Sequence, residues 1–350
     1  MRPTDIPVLP SPAATVHPAD PIPDLVATTV AMASRITIQV PDRFGSTVDG
    51  RARRAAAIRD IERTLELFHD VDRTCTRFRD DSDLMRANAH PTAWVPVDEL
   101  CFHAVREAHA AYLATDGRFD PRVLADLVRL GYGRSFTLGG AEPRTPDEVR
   151  GSRPPLAAWR PQLRASDHSI RLSGEPAGQA AAKVDLGGIG KGLAVRWASE
   201  RLRDCGLGDH LVEAGGDCFC AGRPSDGGQW RVGIEDPAGG DEPIAVLEVS
   251  NEAVTTSSVR LRHWQVGDQS LHHIIDPSTG RPGGDGLLAV TTVHPDPAMA
   301  EVWAKVLFLS GAANIAPEAA RRGLPALWVE ADGALGWSPA LSPRLLWRRS

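Results

Sequence analysis

The sequence contains no run of ~20 consecutive apolar residues, the length a membrane-spanning helix requires, so an integral membrane protein is not expected. Its first residues hold no basic segment followed by an apolar one, so no secretory signal is expected and the cytoplasm is the expected compartment. Positive charge of the kind that wraps nucleic acid is also missing. Lys and Arg number 39 against 45 Asp and Glu, a formal net charge of -6, and nucleic-acid binding rests on cations neutralising phosphates. A few placed cations still suffice for a nucleotide. The five cysteines (Cys75, Cys101, Cys205, Cys218, Cys220) are odd in number and form no CxxC pair, which argues against a disulfide framework or a zinc knuckle and for a reducing compartment. Cys218 and Cys220 lie two apart in an apparent strand, so both thiols are expected on one buried face.

What is present is a globular composition, 42% hydrophobic and 24% charged over 350 residues, long enough for one large domain or two ordinary ones. Residues 1–25 carry seven prolines and read as a flexible or extended lead-in to a unit over residues 26–350. Arg35-Ile36-Thr37-Ile38-Gln39-Val40 alternates with the period of a half-buried strand. Over residues 52–69, Ile58, Ile61, Leu65 and Phe68 share one face of an expected helix, and a second helix is expected over residues 97–114. Residues 138–161, dense in Gly, Pro and charge, read as a surface loop and a candidate internal boundary. Strands are expected over residues 169–172, 230–234, 245–249, 287–293 and 327–330, with a hairpin turn at Asp332-Gly333. Helices and strands mix without βα alternation, which favours an α+β fold of mixed sheets with packed helices.

The run Val184-Asp185-Leu186-Gly187-Gly188-Ile189-Gly190-Lys191-Gly192 precedes a helical pattern that ends at Gly206, a plausible C-cap. Glycines at a helix N-terminus leave N–H groups and the positive end of the dipole for an anion, and Lys191 adds a mobile charge. A P-loop is excluded because Asp185 and Gly192 stand where it needs Gly and Ser or Thr; a dinucleotide fingerprint fails because Leu193 stands where its third Gly belongs. On this run alone, a phosphate site and a glycine-rich turn with a solvated lysine are equally good readings.

Further blocks occur in an order that resembles the ApbE family of FAD:protein FMN transferases, over residues 32–311. Asp81 through Asn88, preceded by Phe78, resembles the family's "dSeisrlN" element, and Thr115-Asp116-Gly117-Arg118-Phe119-Asp120-Pro121 its "t-GafDp" element. Leu211 through Asp217 resembles "vnaGGD", Thr256-Ser257-Ser258 "TSG", and His272 through Gly280 "hHilDPrTG". The resemblance implies a T-fold-like α+β enzyme that binds FAD and Mg2+, moves FMN onto a Ser or Thr hydroxyl of an acceptor protein and releases AMP. It implies that Met32 and Phe78 border the adenine and ribose end, that Arg118, Phe119 and Asp120 line the same pocket, and that Thr256 belongs to the cofactor site. It also implies that Asp185 and Lys191 hold the sugar and pyrophosphate, and that His273 sits beside the reacting phosphorus.

Attack on a pyrophosphate needs stabilised oxygens and a base for the hydroxyl proton. His273 and Asp276 are both competent, and spacing does not choose between them; the plain alternative for His273 is an ordinary strand histidine. The family's metal block, "ADalaTalfvlG", implies Mg2+ on its Asp, its Thr and a carbonyl near Gly188. Here Glu301 keeps a carboxylate, but Lys305 puts an ammonium where the Thr oxygen is expected, and an ammonium cannot ligate a cation. Three readings follow: a transferase with altered Mg2+ dependence, an FAD pyrophosphatase giving FMN and AMP, or a flavin binder in which Glu301 and Lys305 form a plain helical ion pair.

Overall fold

The computed structural model describes residues 24–133, 144–149, 156–173 and 183–349. The proline-rich lead-in therefore lies outside the described residues except for its last two, and the expected 138–161 loop does so for 138–143 and 150–155.

The helices are α1 (Val48–Cys75), α2 (Asp83–Ala89), α3 (Glu99–Ala114), α4 (Leu124–Arg129), α5 (Pro146–Val149), α6 (Gly190–Asp204), α7 (Pro297–Phe308) and α8 (Ala312–Arg322). The first nine strands are β1 (Leu25–Ala31), β2 (Ser34–Val40), β3 (Val95–Pro96), β4 (Gln162–Arg164), β5 (Ser169–Arg171), β6 (His210–Ala214), β7 (Asp217–Ala221), β8 (Trp230–Ile234) and β9 (Ala245–Val249). The rest are β10 (Glu252–Ser258), β11 (His263–Val266), β12 (Gln269–His272), β13 (Ile275–Asp276), β14 (Arg281–Pro282), β15 (Leu287–His294), β16 (Ala326–Glu330), β17 (Leu335–Trp337) and β18 (Leu345–Arg348).

An eight-stranded sheet in the order β1-β2-β6-β7-β10-β15-β16-β17 forms the frame. Every pairing in it is antiparallel. Its two faces are assigned by period-two alternation. Val212, Phe219, Ala253 and Trp328 point to a core shared with α1, α3, α6 and α7. Their neighbours Leu211, Cys218, Cys220, Val254, Leu327 and Val329 point to the other side and pack on the small sheet β18-β9-β8. The expected α+β class holds, as does the expectation that Cys218 and Cys220 share one buried face.

The helix expected over residues 52–69 is longer at both ends. It starts where Thr47 Oγ1 accepts from Gly50 N–H at 3.0 Å, a cap lying N-terminal to the apolar pattern. Its buried stripe is Ala57, Ile61, Leu65, Phe68 and Val71; Ile58, assigned to that stripe from the sequence, is 36% exposed because the stripe drifts past it. The turn at Asp332-Gly333 forms between β16 and β17 with Gly333 at φ 87°.

Candidate active site

The motif blocks first do structural work. Ser82 caps α2 by accepting from Met85 N–H at 3.1 Å and donates its own hydroxyl to Thr76 O at 2.6 Å. Asn88, at the other end of α2, clamps the backbone of Val184 with paired bonds of 2.8 and 2.7 Å, fixing the segment that leads into the glycine-rich run. The block after α3 turns through positive φ at Asp116 and Gly117 and is held by Phe119 N–H donating to Thr115 Oγ1 at 3.0 Å. That turn delivers Arg118, Phe119 and Asp120 to one wall. Gly215 and Gly216, at φ 61° and 91°, form the tight turn between β6 and β7 that presents Asp217.

The glycine-rich run opens α6 as expected, with Ile189 at the cap and Gly190 as the first helical residue. Gly206, at φ 78°, follows its C-cap as expected. Its backbone is more occupied than an open anion cradle would be. Gly187 N–H donates to Asp185 Oδ1 at 2.7 Å, Gly190 N–H to Leu186 O at 2.8 Å and Gly192 N–H to Glu301 Oε2 at 2.9 Å. Positive charge at this point therefore comes chiefly from side chains rather than from these helix N–H groups.

Two cavities, of about 180 and 440 Å³, meet over this run. The first is walled by Met32, Phe78, Arg118, Phe119, Asp120, Asp185 and Gly188; the second carries Thr256 and Glu301. Lys191, Arg262, His273 and Lys305 line both. Met32 sits at φ 53° in the β1–β2 turn, which carries its side chain over Gly190. Arg118 pairs with Glu318 and donates to Ser310 Oγ at 2.9 Å, tying the wall to α8. Asp120 is gripped by Arg122, whose Nη2 lies 2.7 Å from Oδ2. Asp185 is paired with Arg77 at 3.1 Å. Asp276 lines neither cavity: its Oδ1 accepts from the Ser278 N–H and hydroxyl at 2.8 and 2.7 Å and stiffens the β13–β14 hairpin.

At the junction, Lys191 pairs with Asp217, whose other oxygen accepts from Thr256 N–H at 3.0 Å. Burial opposes the Lys191 charge, but the Asp217 and Glu301 carboxylates outweigh it and hold the ammonium above its usual range. Burial likewise opposes charge on Glu301, yet Lys305, Lys191 and the Gly192 N–H together hold its carboxyl below the usual range. His273 goes the other way. Burial, then the Arg262 and Lys305 cations, push it well below its usual range, so its imidazole is neutral at pH 7. Among the described residues its Nδ1 is buried without a hydrogen-bond partner, and the Tyr132 ring meets the imidazole edge-on at 6.3 Å. Three cations, Lys191, Arg262 and Lys305, line both cavities, with Asp217 paired to Lys191 and Glu301 to Lys305, and the Glu213 carboxyl in the second cavity also acts on Lys191.

Residues 32–328 match the ApbE family model. The chain belongs to the ApbE family. The FAD:protein FMN transferase of Salmonella typhimurium is 27% identical over 303 residues, covering 85% of this chain and 84% of that one. The protein of that name from Treponema pallidum is 28% identical over 268 residues, 72% of this chain and 71% of its own. Among solved structures, the Thermotoga maritima ApbE protein superposes with a TM-score of 0.71 at 24% identity, covering 94% of this chain and all of its own. The Vibrio cholerae flavin transferase ApbE gives 0.68 at 23% identity, over 92% and 99%. The fold expected from the ApbE resemblance is thus the fold observed.

The Mg2+ set implied by that resemblance does not fit the side chains present. Glu301 is 2% exposed, and its two oxygens are taken by Gly192 N–H at 2.9 Å and by Lys305 Nζ at 3.1 Å. The Lys305 stem runs past Gly188, within 3.4 Å of where a Cβ there would lie, on its way to Glu301. Among the described residues no group of three or more His, Cys, Asp and Glu is placed to hold a metal ion.

Sequence reasoning missed three side chains of this ApbE site. Arg77 is buried between the Phe78 and Tyr132 rings, 4.2 and 4.4 Å from their centroids, and its adjacency to Phe78 was the available signal. Tyr132 and Arg262 lie outside every block, and only the folded chain brings Arg262 to the junction and the Tyr132 ring against His273 in the first cavity.

Proposed function

We propose that this protein is an FAD:protein FMN transferase, a single catalytic unit over residues 26–350 that cleaves the FAD pyrophosphate and joins FMN to a Ser or Thr hydroxyl of an acceptor protein. The observation that carries the reading is the meeting of the two cavities at Lys191, Arg262, His273 and Lys305. A molecule with two bulky ends and a dianionic diphosphate between them suits two chambers joined by a positively charged neck. Curated relatives bearing this name align over most of the chain, which supports the same reading.

In this account the adenosine end occupies the first cavity, against Met32, Phe78, Arg118, Phe119 and Asp120, with Asp185 near the sugar. The FMN half and the incoming hydroxyl occupy the second, beside Thr256. The acceptor oxygen bonds to the FMN phosphorus, the bond from that phosphorus to the AMP oxygen breaks, and AMP leaves. The hydroxyl proton passes to the His273 imidazole, which is neutral and so able to accept it. Its depressed basicity is partly restored when the two diphosphate charges offset the Arg262 and Lys305 cations that depress it. Lys191 and Lys305 stabilise the charge that grows on the phosphoryl and leaving oxygens, in a pocket where water screens poorly. Asp276, at the end of β13 with Oδ1 held by Ser278, is not given the base role.

No helix among the described residues is long and apolar enough to cross a membrane. Five free thiols suit a reducing compartment, and we propose the cytoplasm and an acceptor segment reachable from that side. The test is to incubate the purified protein with FAD, with and without a candidate acceptor protein, and follow AMP and FMN by chromatography. AMP release that requires the acceptor, without free FMN, supports the reading. FMN appearing in equal amount without any acceptor favours the pyrophosphatase alternative, and no AMP with the acceptor present, with or without Mg2+, removes both.

A further inference from the structure

We infer that Lys305 is a built-in cation for this site, standing where a divalent ion would otherwise sit, so that pyrophosphate cleavage here proceeds without a metal. The inference rests on the transferase reading above and concerns how the same site is charged.

Three observations carry it. Lys305 lies one helical turn after Glu301 on α7, and its Nζ donates to Glu301 Oε1 at 3.1 Å, with the Lys305 side chain only 20% exposed and that of Glu301 only 3%. Glu301 Oε2 is spent on the Gly192 N–H at the start of α6, so the carboxylate has one oxygen for each helix and neither is directed solely at the cavity. Lys305 nonetheless lines both cavities together with Lys191 and His273, which places its ammonium at the neck where the diphosphate must pass. A divalent ion would have to displace that ammonium from Oε1 to reach a single carboxylate whose other oxygen already accepts from Gly192 N–H, an unfavourable exchange for a hard cation that needs several oxygen ligands. The ammonium supplies one fixed charge and hydrogen-bond donors to phosphoryl oxygens at no cost in metal capture.

Two arms test this. In the first, AMP release from FAD with an acceptor protein present is measured in EDTA and across a Mg2+ titration, and Mg2+ binding to the FAD-bound protein is followed by calorimetry. The inference expects turnover to change less than about twofold and no saturable heat. Loss of turnover in EDTA with recovery in Mg2+ overturns it.

In the second arm, Lys305→Thr restores an oxygen ligand and Lys305→Met keeps the apolar stem without either charge or ligand. Both are expected to lose at least 100-fold of the EDTA-resistant rate, and Mg2+ is expected to recover at least tenfold in Lys305→Thr only. Wild-type rates in EDTA from either variant overturn the inference. If no condition yields AMP, the transferase reading fails by itself and the calorimetry alone decides. Saturable Mg2+ binding that disappears in Glu301→Gln then overturns the built-in cation, and its absence upholds it.

Discussion

Gly192→Ala and Gly190→Ala, two residues apart in the same run, should behave oppositely. A Cβ at Gly192 would stand 2.7 Å from Ala298 Cα and 2.8 Å from Pro297 C, and closer still to Pro297 O, all of it α7 backbone that no rotamer change can move. The two helices would have to part by several tenths of an ångström, in a core packed to crystal density. Overpacking of this kind costs about 1–3 kcal/mol and more against rigid backbone, offset by up to ~1 kcal/mol of alanine helix propensity, so a net loss of about 2–3 kcal/mol is expected. For a chain of this length, at ~2.1 cal/mol/K per residue, that is a fall in Tm of about 3–4 °C. A Cβ at Gly190 would meet only Met32 Cε, at 3.7 Å, an ordinary contact. Gly190→Ala should therefore match or slightly exceed wild-type Tm. Gly192→Ala should also lose turnover out of proportion to its stability, because the same movement breaks the Gly192–Glu301 bond that fixes Glu301 for Lys191 and Lys305. Calorimetric scans of the three proteins decide the point. A Gly192→Ala protein as stable as Gly190→Ala would refute the argument that glycine is there for helix approach.

Three more outcomes are expected. His273→Asn should lower kcat by roughly 10²–10⁴ with little change in FAD affinity, whereas Asp276→Asn should leave kcat within a few-fold; the opposite ranking would exchange their roles. Arg77→Met removes the partner of a nearly buried Asp185 and should cost about 3–5 kcal/mol in urea unfolding, with FAD affinity weakened on the order of tenfold; unchanged affinity would mean that Asp185 does not act at the ligand. His210 is buried, donates from Nδ1 to Leu207 O at 2.7 Å, accepts from Ser199 at 2.8 Å, and burial depresses it from 6.5 to about 4. The unfolded chain binds that proton first, so the stability it contributes is present above pH 6.5 and is lost as pH falls towards 4, by about 3 kcal/mol. His210→Gln should flatten unfolding free energy over that window by roughly that amount, leaving the parallel contribution of His272, also depressed to about 4 by burial.

What the sequence disclosed followed from how local each cause is. Strands β8 and β9 fall at their expected bounds because alternation and turn residues mark them within a few positions. The start of α6 and its end at Gly206 were legible for the same reason. The order of the motif blocks gave the family and, with it, named residues that line the cavities, among them Met32, Phe78, Asp185, Lys191 and His273. The extra length of α1 was hidden because a polar cap at Thr47, not an apolar repeat, sets its start. Arg262 was hidden because it comes from an irregular segment after β10 and reaches the neck only through the sheet. The use of Gly192 N–H by Glu301, 109 positions away in sequence, was equally beyond any local pattern, and it changes what the glycine-rich run does. That run is a close-packed helix start that aims Lys191, rather than an open backbone cradle.

The most direct test of the central claim is mass spectrometry of an acceptor protein after incubation with this protein and FAD. The account predicts one FMN joined through phosphate to a Ser or Thr, with AMP released in equal amount and with His273→Asn giving neither. Free FMN with an unmodified acceptor, or no AMP at all, would contradict it.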